Sequence, residues 1–465
     1  MRKARIIPLT VATALFMENV DGTVLSTSLQ AIAQDFGIQP LSLKLALMSY
    51  MISLAIFIPI CGWVADRFGA KTVFRSALCV FILGSIACAA ANSLEWFVFA
   101  RFVQGMGAAM MVPVGRLILL RSVPKAEVVS ALATLTIPAL VGPVIGPPLG
   151  GFITTYFHWR WIFLINIPVA VLGLVMATIF FDNLKEDDTP PLDLKGFILS
   201  GLALSLVMFG LATTGGHMLP LEISISCIVI GLACGIGYFI HSRNILNPVL
   251  KISLLKVQTF RSSVIGGMFF RIGTGSVPFL LPLMLQIGFG MSPVQSGMLT
   301  FVAALGALFT KTIGVKVLRI TGFKWLLIIN AFLASAFLAA QGFFTVTTSH
   351  SIILTVLFIG GCFRSMQFTS LNALAFADIS KRDMSYATSF SAMMQQLSLS
   401  LGVTMGAFGL EMAQHIRGDL ELLTEDFKIA FLFVAAISAI SGFIFMRLPA
   451  NAGEEMSGHI HNTRK

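Results

Sequence analysis

Charged residues are scarce in this chain: they make up 11% of its 465 residues, against a hydrophobic share of 56%. A soluble domain carries about 25% charged residues. Too few polar side chains remain to cover a water-facing surface, which excludes a soluble globular protein. Cysteine is thin as well. The six present (Cys61, Cys79, Cys88, Cys227, Cys234 and Cys362) sit in or at the ends of apolar runs, and none forms a CxxC pair. That excludes a disulfide framework or a cysteine metal site and suits small core residues. No GxxxxGK(S/T) loop is present, so ATP does not drive this chain. HExxH and GxSxG are missing too, which leaves an enzyme without a catalytic constellation. No metal or cofactor is expected.

What the chain has in abundance is long apolar runs. They extend over about 18 to 25 residues, enough to cross a hydrocarbon core of about 30 Å, and mean hydropathy is +0.89. The pattern predicts an all-α integral membrane protein of about fourteen transmembrane helices. The first six start near Ile6, Leu41, Thr72, Glu95, Val128 and Trp161. Two more follow near Lys195–Ala212 and Ile223–His241, and the last six start near Thr259, Pro293, Phe323, Ser351, Tyr386 and Phe427. Polar punctuation at Asp182–Lys195, with Pro190 and Pro191, and at 246–258 divides the chain. The predicted units are a six-helix bundle over 1–181, a linker over 182–256 holding the two additional helices (about 195–242), a six-helix bundle over 257–447 and a tail over 448–465. A faint repeat relates Gly62–Lys71 to Gly314–Lys324, with one insertion and Leu318 in the place of Asp66. Repeated bundles with the substrate site at their interface are a recurrent transporter plan.

The formal charge of +10 is a topology signal. With the N-terminus inside, about 22 Lys and Arg fall on the cytoplasmic side, and only about four (Lys44, Arg160, Arg417, Lys428) on the other. Both termini are therefore expected in the cytoplasm, and nucleic acid is not an expected partner. Met1–Arg5 followed by an apolar stretch mimics a signal peptide, but Glu18 and Asp21 interrupt that stretch, so it reads as a retained first helix.

Charges at membrane depth are costly and invite functional explanations. Glu18 and Asp21 share one helix face at i and i+3. As two close carboxylates they are candidates for proton or cation handling, the alternative being a structural cation or backbone contact. Arg101, Gln104, Gly105 and Ala108 form one stripe, in which an arginine that cannot lose its proton biases a neighbouring carboxylate or holds backbone carbonyls. Arg271 and Arg364 are isolated cations and candidate substrate-cavity residues, the alternative being a structural role, and Lys311 can snorkel. Gly142, Gly146 and Gly150 recur every fourth residue with Pro143, Pro147 and Pro148 among them, forming a groove for close helix approach. Asn19, Gln104, Gln286, Gln367, Asn372, Gln395 and Gln396 are candidate cavity residues, although each alone is more often an interhelical hydrogen bond.

These landmarks together resemble the major facilitator superfamily, and within it the fourteen-helix drug:proton antiporters. Gly62, Asp66, Arg67, Gly69 and Lys71, with Arg75, are similar to that superfamily's cytoplasmic loop signature, which implies a charge cluster latching one alternating conformation. Arg101, Gln104, Gly105 and Gly107 resemble its fourth-helix motif, whose arginine is implicated in proton coupling. Gly142 to Gly151 resembles the fifth-helix antiporter motif and implies exchange. Met17–Thr23 resembles a first-helix motif with Asp21 in the acidic position, and Trp159–Pro168 matches the same branch. Glu18 is a departure, standing where relatives usually carry a neutral residue. Gln30 is another, replacing a common proline.

The implied function is a proton-coupled antiporter in the inner (plasma) membrane that exports small amphipathic compounds, cationic ones included. It would act as a monomer, through alternating access. The alternatives are an exporter of one specific metabolite or siderophore, or a membrane sensor without transport. The short tail after Arg447 offers no output domain to the latter.

Overall fold

A computed structural model describes residues 2–454 apart from 123–127, 184, 186–190, 214–219, 246, 381–382 and 419–420. Side chains are described within that set except at 2–5, 120, 128–140, 143, 312, 315 and 385. The charges expected at Met1–Arg5, Lys125 and in the tail beyond Glu454, the linker Pro190, and the ring of Pro143 lie outside what is described.

Sixteen α-helices, with short 3-10 turns and one π turn between them, make up the described secondary structure, and no strand occurs among the described residues. Eleven stretches there are long and apolar enough to cross a membrane. Three further helices are also long enough: α1 (Arg2–Val24), α7 (Val128–Tyr156) and α15 (Met384–Arg417), of 23, 29 and 34 residues. Two of them are less apolar: α1 carries Glu18 and Asp21, and α15 is rich in Ser, Thr and Gln. Fourteen crossings result, as the apolar runs predict. The sequence did not announce α2 (Leu29–Phe36), which buries Leu29, Ile32 and Ala33 at i, i+3 and i+4 and ends on Gly37 in a left-handed turn. It is a single amphipathic segment too short to stand out from its neighbours.

The chain divides into two compact units. The first comprises Met1–Val207 with Val229–Tyr238 and Ser292–Met298; the second comprises Met208–Ile228, Phe239–Met291 and Leu299–Lys465. The central helices α10 (Leu194–Thr213) and α11 (Leu221–Ser242) are thus shared out and form no third unit. In the first unit α1 packs on α7, on α6 (Leu94–Ser122) and on α9 (Asn166–Phe180). There α5 (Ala70–Ala89) packs on α6 and α9, and α3 (Lys44–Phe57) on α6. In the second unit α12 (Gln258–Leu283) packs on α14 (His350–Phe376), α15 and α16 (Thr424–Phe445). Phe270, Phe323, Leu327, Leu371, Leu374 and Phe445 are central to its core.

The faint repeat has a backbone counterpart. Gly69 follows α4 (Cys61–Phe68) with φ 89° and ψ 130°. Gly322 breaks α13 (Pro293–Gln341) with φ 69° and ψ 168°. Both conformations are ones that L side chains rarely adopt. At Gly69 space is short as well, since an added Cβ would lie 2.3 Å from Asn183 Oδ1.

Gly69→Ala is therefore expected to destabilise the turn by about 1–3 kcal/mol, the cost of holding a side chain in that region. Gly62→Ala, which meets nothing within 4 Å, should leave stability unchanged. Thermal unfolding of the two purified variants in detergent checks the contrast.

Candidate functional site

The first unit closes around one carboxylate. Asp21, on α1, is 3% exposed, and Arg101, on α6, is 1% exposed. Arg101 Nη1 donates to Asp21 Oδ2 at 2.7 Å and to Gln104 Oε1 at 2.7 Å. Gln104 Nε2 donates to the other carboxylate oxygen at 2.8 Å and to Ser85 Oγ at 2.9 Å. Asn166 Nδ2, from the start of α9, donates to that same oxygen at 2.9 Å. The guanidinium carbon lies 4.3 Å from the centroid of the Tyr50 ring. A buried charge is tolerable when it is paired and its lone pairs are filled. Here three donors from two helices fill both oxygens.

Glycines bring the helices close enough for these short side chains to meet. On α6, an added Cβ at Gly105 would sit 2.6 Å from Tyr50 O of α3, and one at Gly107 would sit 2.6 Å from Phe81 N of α5. On α7, Gly142 backs onto Asn19, Gly146 onto Thr23 and Gly150 onto Val24 O and Thr27. The regular glycine spacing is a seam laid against α1 itself. Asn19, Thr23 and Thr27 each donate to a backbone carbonyl of α1 itself. Pro147 is buried and Pro148 half-buried within the continuous α7.

Glu18 lies one turn before Asp21, half-buried, with no hydrogen bond among the described residues. Sequence reasoning missed Asn166, Ser85 and Tyr50. Asn166 had a usable signal, because it is the one amide in Trp159–Pro168, and Tyr50 is one of only four tyrosines. Serine at helix depth is too common to have marked Ser85.

The loop signature is built differently from a self-contained charge cluster. Asp66 pairs with Arg121, at the end of α6, at 3.0 Å. Arg67 and Arg75 are exposed and Lys71 half-buried. Asn183, just past α9, accepts from Thr72 N at 3.3 Å and fills the space above Gly69.

In the second unit the candidates scatter. Gln367 is fully buried and works as a packing node: it accepts from Asn330 Nδ2 at 2.9 Å and donates to Leu327 O at 3.2 Å. Arg271 is buried, donates to Asn372 Oδ1 at 3.2 Å and lies 5.5 Å from the Phe368 ring centroid. Gln286 is buried in the π-helical turn Met284–Gly288 that extends α12. Gln395 and Gln396 are half-buried on α15. Arg364 is half-buried on α14 beside a small cavity.

A helical membrane chain with a buried carboxylate–guanidinium network belongs to the class of multi-pass transporters. More narrowly, the sequence profile of the Major Facilitator Superfamily matches residues 11–403, and the chain belongs to that superfamily. It is 35% identical over 446 residues to the "Probable transport protein HsrA" of Haemophilus influenzae, covering 96% of each chain. It is 34% identical over 452 residues to the "Putative multidrug resistance protein MdtD" of Escherichia coli (strain K12 / DH10B), covering 96% of this chain and 95% of that one. Among solved structures, a POT family transporter in complex with 5-aminolevulinic acid superposes with a TM-score of 0.71 at 16% identity, over 98% and 97% of the two chains. A D-xylose–proton symporter does so with a TM-score of 0.65 at 12% identity, over 96% and 98%. At such identities the structural likeness speaks for the fold alone.

Removing one partner of the buried ion pair strands the other. Arg101→Ala is expected to destabilise the protein by about 3–5 kcal/mol. Asn166→Ala, which leaves Asp21 with Gln104 and Arg101, should cost about 1.5–3 kcal/mol. The order of apparent unfolding temperatures, wild type above Asn166→Ala above Arg101→Ala, checks this. Equal values for the two variants would contradict the ranking of the ion pair over the amide.

Proposed function

We propose that the chain is a proton-coupled antiporter of the inner membrane that exports small amphipathic compounds, cationic ones among them, by alternating access, with both termini in the cytoplasm. The observation that carries this reading is the Asp21 carboxylate, buried on the first helix and held by Arg101, Gln104 and Asn166. An ionised carboxylate only accepts hydrogen bonds, whereas a protonated one must also donate. Proton uptake at Asp21 therefore breaks the pattern of donors and leaves Arg101 without its counter-charge. Binding a proton and loosening α1 from α6 and α9 become one event. Glu18, one turn away with no hydrogen bond among the described residues, can take or pass a proton without breaking such a network. The glycine seam on α7 lets α1 shift without unlocking interdigitated side chains.

Energy comes from the proton gradient, since one charge crossing 100 mV is worth about 2.3 kcal/mol. Export of small compounds of varied structure is supported by the likeness to the multidrug resistance protein of Escherichia coli.

The test uses purified protein in liposomes loaded with a pH-sensitive dye, an imposed pH gradient and a lipophilic cationic dye as substrate. Asp21→Asn is expected to cut substrate-dependent proton movement about tenfold or more, as loss of a charge-assisted hydrogen bond worth ~1.5–3 kcal/mol implies. Glu18→Gln should slow it while preserving substrate binding. Undiminished proton movement in a folded Asp21→Asn protein would take Asp21 out of the mechanism.

A further inference from the structure

The second unit treats the cations on its helices differently from the first. Arg271 is met by the Asn372 amide, and Lys311 Nζ donates to Thr369 Oγ1 at 2.6 Å. Arg364 has no hydrogen bond or ion pair with any described residue. It stands at the fifteenth position of the 27-residue helix α14, about 21 Å from its first residue at 1.5 Å per residue. That is mid-span in a bilayer, where an arginine cannot shed its charge and a missing partner is expensive.

Arg364 lines a cavity of about 30 Å³ together with Thr274, Leu338, Gln341, Leu357 and Gly361. The volume holds one or two water-sized groups. Its walls are set by close crossings of α13 and α14. An added Cβ at Gly361 would meet Ala303 O at 2.0 Å, and one at Gly306 would meet Phe358 O at 2.0 Å. Long side chains on a helix lean toward its N-terminus, which on α14 is the direction of Gln341, at the end of α13. Gln341 is 6% exposed, and its Oε1 has no hydrogen-bond partner, while Nε2 donates weakly to Phe337 O at 3.4 Å. An unfilled amide oxygen and an unpaired guanidinium on one small cavity are two separate demands for a guest. The guanidinium calls for an anion, which it grips through a planar fork of donors. The amide oxygen calls for a donor beside that anion, such as a hydroxyl or a water.

We propose that the cavity at the α13–α14 crossing is a small-anion site, in which Arg364 binds one carboxylate- or halide-sized group and Gln341 accepts from a neighbouring hydroxyl. The anion has two possible sources, an exported compound's carboxylate or free chloride. In the first case the inference rests on the export reading above; in the second it stands without it.

Purified full-length protein in detergent, at constant ionic strength balanced with a bulky organic sulfonate, is titrated with sodium lactate, sodium acetate or sodium chloride. The readout is apparent unfolding temperature. Wild type is expected to show a saturable rise, and Arg364→Gln to need at least about tenfold more anion for the same rise, as loss of a charge-assisted contact implies. Gln341→Leu should weaken lactate severalfold and leave acetate unchanged, because only lactate carries the hydroxyl. Arg364→Lys, which keeps charge and loses the fork, should retain chloride better than carboxylates and guards against a folding failure of the glutamine variant. Saturation by chloride equal to that by lactate identifies a free-halide site, and saturation by carboxylates alone identifies a substrate headgroup site. Shifts that do not saturate, or that match in wild type, Arg364→Gln and Arg364→Lys, overturn the proposal. Asp21→Asn should keep the anion response. Its retention in a variant without proton movement separates this site from the coupling chemistry, and loss of the response in Arg364→Gln with antiport intact would touch only the anion site.

Discussion

The first unit is organised around the need to bury a carboxylate and a guanidinium where water cannot reach them. Desolvating two ions costs more than their attraction returns unless every remaining lone pair and proton finds a partner. Both oxygens of Asp21 are filled, by Arg101, Gln104 and Asn166, and Gln104 also accepts from the arginine, whose Nε alone is left buried without a hydrogen bond. Three helices, α1, α6 and α9, must converge within hydrogen-bond distance to supply these groups, and α5 adds Ser85. Helices come that close only where side chains are nearly absent. Gly84, Gly105 and Gly107 at the crossings of α3, α5 and α6 are a consequence of the same constraint, because each would place a Cβ inside a neighbouring backbone.

The same constraint makes the network suited to a switch. Every donor on Asp21 comes from α6 or α9, while the α7 face of α1 is a glycine seam where the polar side chains turn back onto their own helix. One side of the first helix is held by directional, charge-dependent bonds, and the other lies in close contact with Gly142, Gly146 and Gly150. A change of charge at Asp21 alters the first without disturbing the second. In the proposed antiport this asymmetry gives a single proton a mechanical consequence in a tightly packed helix bundle.

The internal repeat shows how backbone geometry and side-chain chemistry have separated. Gly69 and Gly322 hold similar left-handed turns after corresponding helices, yet Leu318 stands where the repeat has Asp66, so the second turn lacks the acid that pairs with Arg121 in the first. The cations on the helices differ in the same way. Arg101 has an aspartate, whereas Arg271 and Lys311 have neutral oxygens and Arg364 faces a cavity. Arg101 is balanced by a carboxylate within its own unit, whereas in the proposal above Arg364 is left open to a guest.

Composition and periodicity determined that the chain is a helical membrane protein and where its crossings begin, because twenty-residue apolar runs have one stable solution in a bilayer. They also singled out Glu18, Asp21, Arg101 and Gln104, since polar groups at that depth are too costly to be incidental. Short segments such as α2 escaped notice, their signal being no longer than the noise around them. Tertiary structure alone decided who meets whom. Asn166 joins Asp21 across 145 positions, Gln367 turns from cavity candidate into a core node with Asn330, and Gly142, Gly146 and Gly150 face α1. A sequence states which groups need partners; the partners come from distant helices whose rotation and depth are set by packing, and no local pattern encodes that.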